Sequence, residues 1–282
     1  AAKALWRVGF PPPPVMAPSL LGVNLGKNKT SIHETEDYEV GIQKLGSYAD
    51  YLVINISSPN TPGLRNLQQN EPIRRLLCAA IQQRDSLVSK NQRNNDVRDD
   101  DSEQIQPTPT PPPPLFVKIA PDLNDEEMKD IATAVMDIGI DGILVTNTTN
   151  QRPSTLISKC SGETGGLSGL PIRDISTECI RKMYRLTNGT IFIIGIGGVG
   201  TGHDAYEKLK AGASVVQLYS RMVYEGPGVV SRIRRELTEI MRENGHRVVE
   251  DVVGLDHEEI YWDQRLERGK HAREMENVIV DV

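Results

Sequence analysis

Asn55, Ser57, Ser58, Asn60 and Thr61 crowd the end of one apolar run, Tyr51-Leu-Val-Ile-Asn-Ile-Ser-Ser-Pro-Asn-Thr61. Val53-Ile54-Asn55-Ile56 has the β-branched character of a buried strand, and Pro59 stops the ladder just beyond it. The hydroxyls and carboxamides gathered there offer donors and acceptors to a polar, planar ligand, and Ser58 could move a proton. Three other runs end the same way. Asn24 lies in Val23-Asn-Leu-Gly26, Lys118 in Val117-Lys-Ile-Ala-Pro-Asp122, and Thr146, Asn147 and Thr148 in Val145-Thr-Asn-Thr-Thr149. Lys118 is flanked by Leu115, Phe116, Val117 and Ile119. A snorkelling or salt-bridged lysine is the plain alternative. The favoured reading is a cation in low dielectric, placed to stabilise a developing anion.

Two glycine-rich segments add to this. Gly195-Ile-Gly-Gly-Val-Gly200 fits G-x-G-x-x-G between a strand and a helix, where main-chain amides and a helix N-terminus can approach a phosphate. A dinucleotide-binding turn would require an acid at the end of the next strand. That strand instead ends Gln217-Leu-Tyr-Ser220. The late position favours the phosphate site that barrels build after their last strands. Gly162-Glu-Thr-Gly-Gly-Leu-Ser-Gly169 is either a flexible connector or a loop whose backbone approaches a flat ligand.

The elements that must hold these residues are strands at Leu20–Leu25, Tyr51–Ile56, Leu115–Ile119, Gly142–Thr146, Ile191–Ile196 and Ser214–Leu218. Helical patterns fall at Asp37–Leu45, Pro72–Val88, Asp125–Ile138, Ile175–Leu186, Gly202–Ala211 and Gly228–Glu243, with Asn124 as an N-cap. Continuous apolar strands alternating with amphipathic helices indicate a parallel sheet covered by helices. Six βα units are visible, whereas a closed barrel needs eight. Residues 1–19, interrupted by Pro11–Pro14, do not supply the other two. Either the sheet is open or the chain lacks its beginning. Residues 89–114, polar and then proline-rich, read as a disordered insertion.

The 282 residues carry a net charge of −6 and 38% hydrophobic residues, which allows a real core and disfavours a nucleic-acid surface. Cys78, Cys160 and Cys179 are isolated, and the five histidines form no metal-binding pattern. No apolar run reaches the ~20 residues of a membrane span.

Taken together, these segments resemble the dihydroorotate dehydrogenases, specifically the membrane-associated, quinone-linked class. The likeness rests on Gly22–Ser31, Asn55–Thr61, Val117–Asp122, Val145–Thr149, Glu163–Gly169, Gly195–Val199 and Gly212–Tyr219, in family order. Ser58 marks the class, because the soluble class resembles this stretch but has cysteine there. The resemblance implies a (β/α)8 TIM-type barrel that binds FMN and oxidises dihydroorotate to orotate in pyrimidine synthesis. By that likeness Ser58 is the base for the C5 proton, while hydride passes from C6 to flavin N5. Lys118 sits near flavin N1 and O2. Asn24, Asn55, Thr146, Ser168, Gly169, Gly197, Gly198, Tyr219 and Ser220 hold the cofactor. Asn55, Asn60, Thr61, Asn147 and Thr148 hold the substrate. A ubiquinone-type quinone is the electron acceptor, and the location is the mitochondrial inner membrane.

Measured against that pattern, the first two barrel strands are absent, with an Ala-Gly flavin contact, a substrate lysine and an asparagine-bearing loop. Absent too is the N-terminal helical pair that forms the quinone tunnel and meets the membrane surface. Ala1-Ala2-Lys3 and Arg7-Val-Gly-Phe10 look like remnants of that region. The expected organisation is therefore a remnant at 1–19, an FMN-binding barrel at 20–257 interrupted at 89–114, and a charged, solvated tail at 258–282. The alternative is a barrel that binds flavin or phosphate without catalysis, or an inactive truncated product.

Overall fold

The computed structural model describes residues 19–58, 68, 70–95, 111–154 and 156–261. The apolar runs become strands β1 (Gly22–Gly26), β2 (Tyr51–Asn55), β3 (Leu115–Ile119), β4 (Gly142–Val145), β5 (Phe192–Ile196) and β6 (Val215–Gln217). They pair in chain order, all parallel. Parallel neighbours need a crossover, and each gap holds one helix in turn: α1 (Glu36–Leu45), α2 (Asn70–Asn95), α3 (Asp125–Ile138), α4 (Arg173–Leu186) and α5 (Gly202–Lys210). After β6 come α6 (Ser220–Glu225) and α7 (Gly228–Glu243).

Alternate side chains divide the strands between two faces. Leu52, Ile54, Leu115, Val117, Ile143, Val145 and Ile193 face the helices and build the main core with Ile131, Val135, Ile180 and Met183. The opposite set, Val53, Phe116, Leu144 and Ile194, forms a smaller cluster on the inner face. Tyr51, Phe116 and Phe192 continue it as edge-to-face rings 5.7 and 5.9 Å apart. Gly142 makes room for that row, since a Cβ there would lie 2.3 Å from the Phe116 ring.

Six βα units in this order are part of a TIM-type barrel, as the sequence indicates. Among the described residues β1 and β6 each pair on one side only, so the barrel is open.

The expected start of α3 is present as a capping box. Asn124 Oδ1 accepts from the Glu127 amide at 2.9 Å, and Glu127 Oε2 accepts from the Asn124 amide at 2.9 Å. Gly139, at φ 81°, ends the helix. Other boundaries differ. α2 continues to Asn95, past the position where composition suggests an insertion. A helix needs only its own backbone bonds there, so no apolar period announces it. The short α6 has no amphipathic stripe and was not expected. The charged tail does not begin fully solvated, because Tyr261 is buried and its hydroxyl donates to the Asp251 carbonyl at 2.8 Å. The expected N-terminal remnant, apart from its last residue, and residues 96–110 of the insertion lie outside the described residues. Among the described residues no helix is long and apolar enough to cross a membrane.

Candidate active site

The parallel register places Asn55 beside Lys118, and Lys118 beside Leu144, at the C-terminal ends of β2, β3 and β4. Asn55 Oδ1 accepts from the Ser57 amide at 3.2 Å and from Asn147 Nδ2 at 3.3 Å. The Ser57 hydroxyl, completely buried, donates to the Lys118 carbonyl at 2.8 Å and accepts from Asn147 Nδ2 at 3.1 Å. Asn147 Oδ1 in turn accepts from the Thr148 amide at 2.8 Å. These bonds lock the ends of three strands into one polar plate. Sequence reasoning did not assign Ser57 a role; its only signal was a place beside Ser58.

Lys118 rises from the centre of this plate. Burial holds its ammonium below the usual lysine range, and no nearby carboxylate offsets the effect. The salt-bridged alternative for this lysine therefore does not hold among the described residues. A cation so placed interacts strongly with any negative charge arriving from the open side.

A cavity of about 620 Å³ opens on that side, a size suited to a cofactor. Lys118, Thr146, Asn147 and Thr148 line it from the strand ends. Ser168, Gly169, Gly197, Gly198, Tyr219 and Ser220 line it from the loops. The two loops meet where Ser220 Oγ donates to Ser168 Oγ at 3.0 Å. Asn55 stands behind this wall, linked to it through Asn147. The other expected residues fall elsewhere. Asn24 is exposed on β1. Ser58 is half-buried just past β2, outside the cavity lining. Asn60 and Thr61 lie outside the described residues.

The glycine turn after β5 differs from its expected form in one respect. The amides leading into α5 are taken by the chain's own carboxylates: Gly200 N donates to Asp204 Oδ2 at 3.0 Å and Gly202 N to Glu236 Oε2 at 2.7 Å. The helix N-terminus is thus already neutralised. At the turn itself the amides of Gly197 and Gly198 donate to no protein acceptor among the described residues. Both glycines need their freedom, at φ 116° and 70°. A Cβ on Gly198 would lie 2.4 Å from Arg173 Cβ. Two unpaired amides on a cavity wall are suited to phosphate oxygens.

The loop ending in Gly169 is pinned rather than slack. Thr149 and Leu167 exchange main-chain bonds of 3.1 and 2.8 Å. Between them Arg152 Nε donates to the Ser161 carbonyl at 3.0 Å, and Nη2 to the Glu163 and Gly165 carbonyls at 3.0 and 2.8 Å. A guanidinium with five donors can mould a loop in this way. Arg152 was not foreseen, because its partners are carbonyls that every residue carries.

Lys118 thus puts a cation, and the Gly197–Gly198 turn a pair of main-chain donors, on the wall of one cavity. The pattern of the family described as "Dihydroorotate dehydrogenase" matches residues 14–241. The chain is 49% identical over 237 residues to the mitochondrial dihydroorotate dehydrogenase (quinone) of Mus musculus, covering 84% of this chain and 55% of that protein. It is 48% identical over 238 residues to the dihydroorotate dehydrogenase (quinone) of Rhodospirillum rubrum, covering 84% and 59%. The crystal structure of ligand-free DHODH from Eimeria tenella superposes with a TM-score of 0.76 at 46% identity, covering 86% of this chain and 66% of that one. The chain thus spans little more than half the length of the first two relatives.

Proposed function

The chain belongs to the dihydroorotate dehydrogenase family, and we propose that it forms the barrel part of a quinone-linked enzyme oxidising dihydroorotate to orotate in pyrimidine biosynthesis. The observation that carries this reading is the convergence of Lys118, the Asn55–Ser57–Asn147 plate and the Gly197–Gly198 turn on one cavity. FMN is the cofactor in this reading, and when bound it accepts the two electrons that leave the substrate.

The side chains divide the remaining work. The Gly197 and Gly198 amides hold the phosphate, with Ser168, Gly169, Tyr219 and Ser220 enclosing it. Lys118 would stabilise negative charge on the bound cofactor, and its low-dielectric setting strengthens the effect. Asn147 and Thr148, together with Asn60 and Thr61, orient the substrate's carboxylate and ring amides. Ser58 takes the C5 proton. A hydroxyl is a weak base, so it needs a sequestered site and a relaying water. Asn24 and Thr146 complete the cofactor contacts, and Asn55 supports both ligands through Asn147.

Ser58 in place of cysteine supports quinone as the acceptor. A membrane surface reached through a segment N-terminal to the barrel, and the mitochondrial inner membrane as its location, follow from the same class reading. The Mus musculus relative is itself named mitochondrial. In this reading the barrel unit runs over 20–257, with the tail beyond it.

The test is turnover of dihydroorotate with a short-chain quinone, for this chain and for its Ser58→Ala variant. Quinone reduction that the substitution abolishes supports the assignment. Reduction of fumarate or NAD in preference to quinone overturns the class. One observation favours a second reading: among the described residues β1 and β6 are each unpaired on one side, and an open barrel could bind flavin without turning over. Bound FMN with no quinone reduction is the result that distinguishes it.

A further inference from the structure

Lys208, on α5, is completely buried and has no place in the chemistry above. Its ammonium donates to Ser176 Oγ at 2.9 Å, to Thr177 Oγ1 at 3.0 Å and to the Arg173 carbonyl at 3.4 Å, all on α4. These acceptors are neutral. No carboxylate lies within ion-pair distance among the described residues, although Asp204 on its own helix and Asp174 on α4 attract it from further off, and Arg173 repels it. A buried cation without a close counter-ion is costly to keep.

The geometry gives it a use. Ser176 Oγ, which accepts from the Lys208 ammonium, donates in turn to the carbonyl of Ile196. Ile196 is the last residue of β5 and leads directly into the Gly197–Gly198 turn. The same serine packs against that turn, since a Cβ on Gly197 would lie 3.0 Å from Ser176 Cβ. The aliphatic stem of Lys208 runs behind the strand, with Cδ 3.4 Å from where a Gly195 Cβ would stand. The positive charge therefore sits behind the turn, opposite the cavity, two hydrogen bonds from its main chain.

We propose that Lys208 is a positioning residue for the phosphate turn: through Ser176 it fixes the main chain at Ile196, and its charge supplies the positive field that selects a phosphorylated ligand at Gly197 and Gly198. This rests on the reading that the turn holds the phosphate of FMN. Arg173 and Arg221 line the same cavity close to the turn, so the contribution assigned to Lys208 is the one made from behind it. Burial makes the ammonium easy to deprotonate, moving it down to about 7, and a phosphate close by would favour the charged form.

The test compares FMN with riboflavin, which differ only in the phosphate, by fluorescence titration of the flavin-stripped chain. The wild type is expected to prefer FMN. Lys208→Met should reduce that preference about tenfold or more, the scale of a unit charge acting across several ångströms of protein, and leave riboflavin binding unchanged. Lys208→Arg should restore most of the preference. Ser176→Ala removes a single oxygen and gives the same readout should the methionine variant not fold. An unchanged FMN preference in Lys208→Met and Ser176→Ala overturns the inference, and so does an equal loss for both flavins. A wild type that binds riboflavin as well as FMN refutes the phosphate reading of the turn, and the inference falls with it.

Discussion

Asn147 Nδ2 donates to Asn55 Oδ1 at 3.3 Å, joining the end of β4 to the end of β2 across β3, 92 residues apart in the chain. With Ser57 it makes a closed set of bonds around the Lys118 carbonyl. Asn147→Ala leaves the Ser57 hydroxyl and Asn55 Oδ1 short of a donor. A loss of about 1–3 kcal/mol in unfolding free energy is expected by urea titration. A double-mutant cycle with Asn55→Ala should give clear non-additivity, and strictly additive losses would mean that the plate does not act as a unit.

Lys118→Ala should leave the fold intact, because among the described residues the side chain has no ion-pair partner to abandon. It should slow reduction of bound flavin by dihydroorotate about 100-fold or more, the scale of losing one preorganised electrostatic contact. Stopped-flow absorbance measures this directly. Unchanged reduction kinetics would remove Lys118 from the chemistry.

At Asn124 the prediction concerns stability alone. Asn124→Ala removes the side-chain acceptor of the Glu127 amide in the α3 capping box and should cost about 1 kcal/mol. A midpoint within error of the wild type would show that the cap contributes nothing.

Lys208 gives a pH dependence with a definite sign. Burial, the largest cause, lowers its folded-state pKa to about 7 from the ordinary 10.5, against the attraction of Asp204, Cys179 and Asp174. Between those values the unfolded chain holds more protons than the folded one, so stability rises with pH. Below about 7 both states are charged and the full burial cost stands. The stability of the wild type relative to Lys208→Met should therefore climb from pH 7 towards 10, by at most about 1.4 kcal/mol per pH unit. A flat difference over that range would mean that the lysine titrates normally.

Much of this site could be read from the sequence because four strands carry polar residues at the end of an apolar run and a fifth runs into a glycine turn. Lys118, Asn147, Thr148 and the Gly197–Gly198 turn fall together for that reason. Local pattern carried no information on partners distant in the chain. Ser57 meets the Lys118 carbonyl across 61 residues and Lys208 meets Ser176 across 32, and neither spacing leaves a periodic trace. The Asp204 and Glu236 carboxylates that occupy the α5 N-terminus were hidden in the same way. The strands are legible because burial on both faces demands continuous apolar runs. The far end of α2 is not, since Ser89–Asn95 adds only polar residues to the helix.

The most direct measurement is the visible spectrum of the purified chain under anaerobic conditions, before and after adding dihydroorotate. A bound flavin that bleaches on addition is the predicted result, and Ser58→Ala should retain the flavin but lose the bleaching. A flavin spectrum that dihydroorotate leaves unchanged would contradict the proposed oxidation by this chain, and a colourless protein would contradict the cofactor site itself.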